Sequence, residues 1–103
     1  MTKRPSAVPT VQAENDFTIV TEWRFAPGAE TGWHQHGYPY VVVPMLTGQL
    51  LIEGKDGSAN HASLTQGVSY ARESGVEHNV INANDYEFAF VEIEFKDRPL
   101  KTG

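Results

Sequence analysis

His34 and His36 stand one residue apart in Trp33-His-Gln-His36. On an extended strand both side chains leave the same face, with Cα atoms roughly 6.5 to 7 Å apart, so the two imidazoles can tilt onto one ion. A metal–nitrogen bond of about 2.1 Å requires that convergence, and a third donor from a neighbouring strand completes a facial set. His78 is the candidate third donor. Spacing alone also allows two partly exposed histidines with no ion between them. His61, in the polar stretch Asn60-His-Ala-Ser63, reads as a solvent-facing histidine. The chain has no cysteine, so a metal must be held by histidine, carboxylate or water, and no thiol nucleophile or disulfide is available.

Around these histidines stand residues suited to a small-molecule pocket: Tyr38, Tyr40, Tyr70 and Arg72. Tyr38 and Tyr40 share parity with His34 and His36, although Gly37 and Pro39 can shift that phase. A guanidinium at Arg72 close to a dication is costly unless an anionic substrate lies between them. Trp33, next to His34, is expected outside, and Glu77 should face away from its neighbour His78. Glu92 and Glu94 share a face with Phe88 and Phe90, read here as a solvated or interface face.

The elements that must position these groups are strands. Phe17 to Phe25 alternates strictly, with Phe17, Ile19, Thr21, Trp23 and Phe25 on one face. Pro27-Gly28 breaks it, and Thr31 to His36 resumes an extended run. Tyr40 to Glu53 is β-branched and apolar, interrupted by Pro44 and Gly48, and reads as two strands. Gly54-Lys-Asp-Gly57 is a hairpin signal, after which Ala59 to Leu64 forms the returning strand. Glu77 to Asn82 and Tyr86 to Lys96 read as two further strands, with Ala89, Val91, Ile93 and Phe95 expected to face inward. No segment carries helical periodicity, so the chain is all-β, a sandwich or barrel. At 103 residues it fits a single domain. Residues 1–16, with Pro5, Pro9 and little apolar periodicity, read as a flexible N-terminal arm, and 17–98 as the barrel domain.

Two longer patterns embed the histidines. Gly28-Ala-Glu-Thr-Gly-Trp-His34-Gln-His36 has glycine, five residues, then His-x-His, and Gly67, Gly75, His78 and Asn82 keep the spacing of a second pattern. Together, over residues 28 to 82, they resemble the two motifs of the cupin superfamily, in its small single-domain form. The resemblance implies a cupin (RmlC-like) double-stranded β-helix, or jelly-roll barrel, and one divalent metal ion on His34, His36 and His78. Two positions depart from the family pattern. Glu73 replaces the proline of the second motif. More consequentially, the glutamate ligand of the first motif is missing: Val41 or Tyr40 stands there, depending on the spacer, and neither is a carboxylate. Three neutral imidazoles suit iron, zinc, nickel, manganese or copper and leave positions open to water or substrate.

The net charge of −5, with eight scattered basic residues, offers no basic patch, so nucleic acid is excluded as a partner. No run of 18 apolar residues suggests a membrane span, and the first residues lack the apolar core of a secretory signal, which reads as a cytoplasmic protein. The expected ligand is a small molecule and the expected assembly a homodimer through the outer positions Phe88 and Phe90. Three-histidine cupins of this kind include iron dioxygenases, which makes a dioxygenase-like enzyme acting on a small oxygen-bearing metabolite the first functional expectation. A non-enzymatic metal or small-molecule binding or sensor module is the alternative.

Overall fold

A computed structural model describes residues 3–96. Residues 1 and 2 of the expected arm, and the expected domain end at 98, lie outside the described residues. The described chain is all-β: β1 Val8–Glu14, β2 Thr18–Phe25, β3 His34–Gln35, β4 Tyr40–Pro44, β5 Gly48–Gly54, β6 Ala59–Leu64, β7 Tyr70–Arg72, β8 Glu77–Asn82 and β9 Phe88–Phe95. They form two antiparallel sheets, ordered β1-β2-β9-β4-β7 and β3-β8-β5-β6. Among the described residues no helix is long and apolar enough to cross a membrane.

Alternation decides which side chains fill the space between the sheets. From β2 come Thr21 and Phe25, from β4 Tyr40, Val42 and Pro44, and from β5 Leu50. Phe25 and Phe90 meet at 5.4 Å between ring centroids, and with Phe88 they fill the centre of the core. Each such fully buried ring is worth about 2–3 kcal/mol of transfer free energy.

This packing reverses the expected facing of the last strand. Phe88, Phe90 and Glu92 point into the barrel, while Val91 and Ile93 lie half-buried on the outside. Both faces of β9 carry apolar residues, so periodicity does not choose between them. Volume does: a gap of about 10 Å between packed sheets must be filled by large side chains, and two phenylalanines fill it where Ala89 and Val91 would leave voids.

The segment read as an arm also proves more regular than expected. Its residues 8–14 pair antiparallel with β2 as an edge strand, with a register shift between Val11 and Ala13. Every residue of β1 is exposed, so neither face imposes the alternation by which a strand is recognised. Pro9 is tolerated because an edge strand can leave one side unpaired. Of the run Thr31 to His36, only His34–Gln35 is strand. The β5–β6 hairpin closes with Gly57 N donating to Gly54 O and Gly57 alone at positive φ (+86°), the geometry a glycine takes without steric cost.

Asn82 ties the barrel together at the end of β8. It is 2% exposed, and its Nδ2 lies 3.3, 3.2 and 2.9 Å from the carbonyls of Phe25, Ala26 and Tyr86. Its Oδ1 accepts from Asn84 N and Nδ2 at 2.9 and 2.8 Å. One side chain thus satisfies groups from the end of β2 and from the β8–β9 turn. Asn82→Ala strands several of them, at about 1–3 kcal/mol for each buried group left unpaired. The expected loss is about 3 kcal/mol, lowering the thermal midpoint by roughly 10–20 °C, and calorimetry that finds a midpoint within two or three degrees of wild type refutes this account.

Candidate metal centre

β3 and β8 are adjacent, with His34 directly opposite His78. Opposed residues of a pair share a face, so both imidazoles enter the same interior. His36 follows β3 and is anchored by two backbone bonds, His36 N to Val76 O at 2.9 Å and Gly75 N to His36 O at 2.7 Å. The three Nε2 atoms converge: His34 to His36 is 3.1 Å and His36 to His78 is 3.2 Å. Two donors at about 2.1 Å from one ion are about 3.0 Å apart at a right angle and about 3.4 Å apart at a tetrahedral angle. The observed separations fall between these values, so the donor set fits a divalent ion.

His34 is oriented by its own loop. Its Nδ1 lies 2.8 Å from Gly32 O, and because a carbonyl only accepts, Nδ1 must carry the proton and Nε2 presents its lone pair inward. Gly32, at φ +87°, turns that carbonyl toward the ring while its N–H donates to Asn79 Oδ1 at 3.0 Å. Asn79 Nδ2 then donates to Glu30 at 2.9 Å and Glu53 at 3.1 Å, and Arg4 bonds both carboxylates. The Asn79 bond, then Arg4, holds the Glu30 carboxyl below its ordinary range; for Glu53 the order is reversed. His36 is held differently, its ring stacked on Tyr40 at 3.9 Å between centroids.

Burial, with the neighbouring imidazoles, lowers His36 to about 4. Burial, then His34 and Arg72, lowers His78 to about 4. Both rings are therefore neutral at physiological pH and offer lone pairs. Burial also raises the Tyr40 and Tyr70 phenols.

The centre opens on a cavity of about 70 Å³, lined by His34 and His78 on the polar side and by Val42, Leu50, Ile52, Val80 and Phe90 on the apolar side. At about 30 Å³ per water that is room for roughly two waters, or one very small metabolite. Tyr40, Tyr70 and Arg72 line it, with the Arg72 guanidinium 4.7 Å above the Tyr70 ring. Tyr38 is half-buried and not among the lining residues. His61 and Trp33 are exposed, and Glu77 turns outward to Lys55 at 3.4 Å.

Glu92 is the residue that sequence reasoning missed. Assigned to an outer face, it is 7% exposed inside the barrel, with Oε2 3.9 Å from His36 Nε2. Burial, then the charge of Glu94, raises its carboxyl to about 7, opposed by a hydrogen bond from Trp23. Its parity with Phe88 and Phe90 was the available signal; once those rings are inside, Glu92 must follow.

No family model matches the chain. It is 60% identical over 96 residues to the beta-alanine degradation protein BauB of Pseudomonas aeruginosa, spanning 93% of this chain and all of that protein. The crystal structure of a cupin domain from Bordetella pertussis Tohama I superposes with a TM-score of 0.91 at 61% identity, over 94% of this chain and 100% of that one. An RmlC-like cupin from Shewanella frigidimarina shares the fold at TM-score 0.64 and 20% identity, over 87% and 76% of the two chains.

These ionisations carry a pH dependence for the metal-free protein. Between about pH 4 and 6.5 the unfolded state protonates His36 and His78 and the native state does not. Between about 4.5 and 7 the native state alone holds a proton on Glu92. Of these three groups the unfolded state binds one more proton in the overlap, and stability falls as pH drops from 6.5 toward 4.5, at most by about 1.4 kcal/mol per unit and by less where the raised Glu94 carboxyl also takes up a proton in the native state. Thermal midpoints across that range should decline with acid and flatten in His78→Ala; a wild-type midpoint that rises on acidification contradicts the assignment.

Proposed function

This chain belongs to the cupin family, and on that premise we propose that it is a metal-dependent enzyme of dioxygenase type acting on a small oxygen-bearing acid. His34, His36 and His78 would hold one divalent ion. The observation that carries this reading is the convergence of His36 Nε2 on those of His34 and His78, at 3.1 and 3.2 Å, beside an interior cavity that His34 and His78 line. Iron, zinc, nickel, manganese and copper all accept imidazole donors, so the ligand set leaves the ion open among them. When bound, the ion supplies a Lewis acid that polarises an oxygen of the substrate.

The chain's own residues account for the rest of the chemistry. Gly32 and Asn79 keep the His34 ring aimed, and Tyr40 backs His36, so the donors need no reorganisation on binding. Val42, Leu50, Ile52 and Phe90 shield the carbon skeleton from water. Arg72 offers a planar fork suited to a carboxylate, and an anion between it and the centre removes the repulsion of two cations. The relative's name, which ties that protein to beta-alanine degradation, supports a small acid as the ligand, since β-alanine is itself one.

Metal analysis and oxygen uptake test the reading. The wild-type protein exposed to iron, zinc and nickel should retain close to one ion per chain, and His36→Ala should weaken retention by about 100-fold, on the order of the larger losses at metal sites. The iron-loaded protein should consume oxygen with at least one member of a panel of small carboxylic acids, thiols and diketones. Full metal retention by His36→Ala defeats the proposal, and stoichiometric metal with no turnover of the panel replaces the enzyme with a binding or sensor module.

A homodimer completes the proposal, on a different surface from the one expected. Phe88 and Phe90 are core residues and unavailable. The outer face of the five-stranded sheet instead carries a row across three strands, Val20 opposite Ile93 and Ile93 opposite Val41, with Val91 opposite Val43 beside it. A second copy is the occupant we propose, because a half-buried apolar patch of this kind, bordered by Glu22 opposite Val91, suits a self-complementary contact. Sedimentation should give twice the chain mass for wild type and the single chain mass for Val41→Glu; a monomeric wild type at tens of micromolar overturns it.

A further inference from the structure

We propose that Glu92 is a fourth protein donor to the ion, reaching the three-histidine centre from β9 in place of the glutamate that the first motif lacks. The inference rests on the three-histidine reading above and adds a carboxylate to it.

The argument starts from sheet register. The position that has lost its glutamate, Val41 or Tyr40, lies on β4, and β4 is hydrogen-bonded to β9 with Val42 opposite Glu92 and Tyr40 opposite Glu94. Opposed residues share a face, so these carboxylates enter the same interior as Tyr40 and Val42. Moving a donor from one strand to its neighbour shifts its Cα by about 5 Å, a distance the reach and rotamers of a glutamate can cover.

Distances agree with that path. Glu92 Oε2 lies 3.9 Å from His36 Nε2, and donor atoms of His36, Glu92 and Glu94 fall within 4.8 Å of one another, a set that shares His36 with the three-histidine set. The 3.9 Å separation exceeds that of adjacent donors on one ion by under an ångström, which rotation of the terminal carboxylate torsion can close. The Trp23 side chain stands beside the group and opposes the rise of its carboxyl, and the Trp23 ring runs nearly parallel to His34 at 6.4 Å.

Charge supplies the second reason. Among the described residues no lysine or arginine pairs with Glu92; its ion-pair partner within 4 Å would be His36, which is neutral at physiological pH. A carboxylate this deeply buried requires a compensating charge or hydrogen bonds. A dication held by the adjacent imidazoles provides that compensation, and the carboxylate lowers the net charge of the centre from two to one. Glu94, on the same face but partly exposed, lacks the burial that makes this demand.

Zinc titration of the metal-free protein, and the visible spectrum of the cobalt-loaded protein, test the assignment without any turnover. Glu92→Gln keeps the size of the side chain and an acceptor for Trp23. It should weaken zinc binding by about 10- to 100-fold and change the cobalt bands, while Glu94→Gln leaves both as in wild type. Metal-free Glu92→Gln should melt at or above wild type, since a buried carboxylate is gone; if it fails to fold, Glu92→Asp, which withdraws the carboxylate by one methylene, is read in the same way. Unchanged affinity and spectrum in Glu92→Gln, beside loss of zinc in His36→Ala, overturn this inference alone. Unchanged zinc binding in both variants overturns the three-histidine reading and this inference with it.

Discussion

Three imidazole nitrogens in a barrel interior, with that of His36 only 3.1 and 3.2 Å from those of His34 and His78, impose a constraint that the surrounding structure must meet. Each neutral ring has one proton, and two nitrogens facing each other at that distance accommodate one hydrogen between them. Charging the rings together would set like charges side by side in a medium that screens them poorly. Burial therefore works in the centre's favour: by keeping His36 and His78 neutral at physiological pH, it leaves the site to a cation other than the proton.

Rigid support follows from the same constraint, because rings crowded tip to tip would separate if free to rotate. His34 is fixed by Gly32 O, Gly32 by Asn79, and Asn79 by two carboxylates that Arg4 bridges from the chain's N-terminal segment. The segment thus contributes to a site it never touches. The Arg4 contacts are exposed and each is worth little by itself. Asn79, at 3% exposed, is the member whose bonds are protected from water and carry the orientation.

The cavity combines two surfaces that rarely coexist cheaply. Its apolar wall is the continuation of the core, with Val42, Leu50 and Phe90 belonging to both. Its polar wall collects His34, His78, Glu92 and Arg72. A guanidinium beside a small, largely apolar space gives an anionic group a partner while the apolar wall takes the carbon skeleton, the combination on which the proposed small-acid ligand rests.

Local pattern made much of this legible. His34, His36, His78 and Asn82, with the glycines that space them, are recognisable because turn conformation and strand parity act over a few residues, and the three histidines meet where the motifs implied. The alternation of β2 and the hairpin at Gly54–Gly57 are local in the same sense. What the sequence could not decide were features whose cause lies far along the chain. β1 has no buried face to print a period on its residues, and exists because the β2 edge offers it hydrogen bonds. β9 is apolar on both faces, and only the volume between the sheets sends Phe88 and Phe90 inward. With them goes Glu92, so the carboxylate beside His36 was set by packing across the barrel, an interaction between residues more than fifty apart that no spacing along the chain encodes.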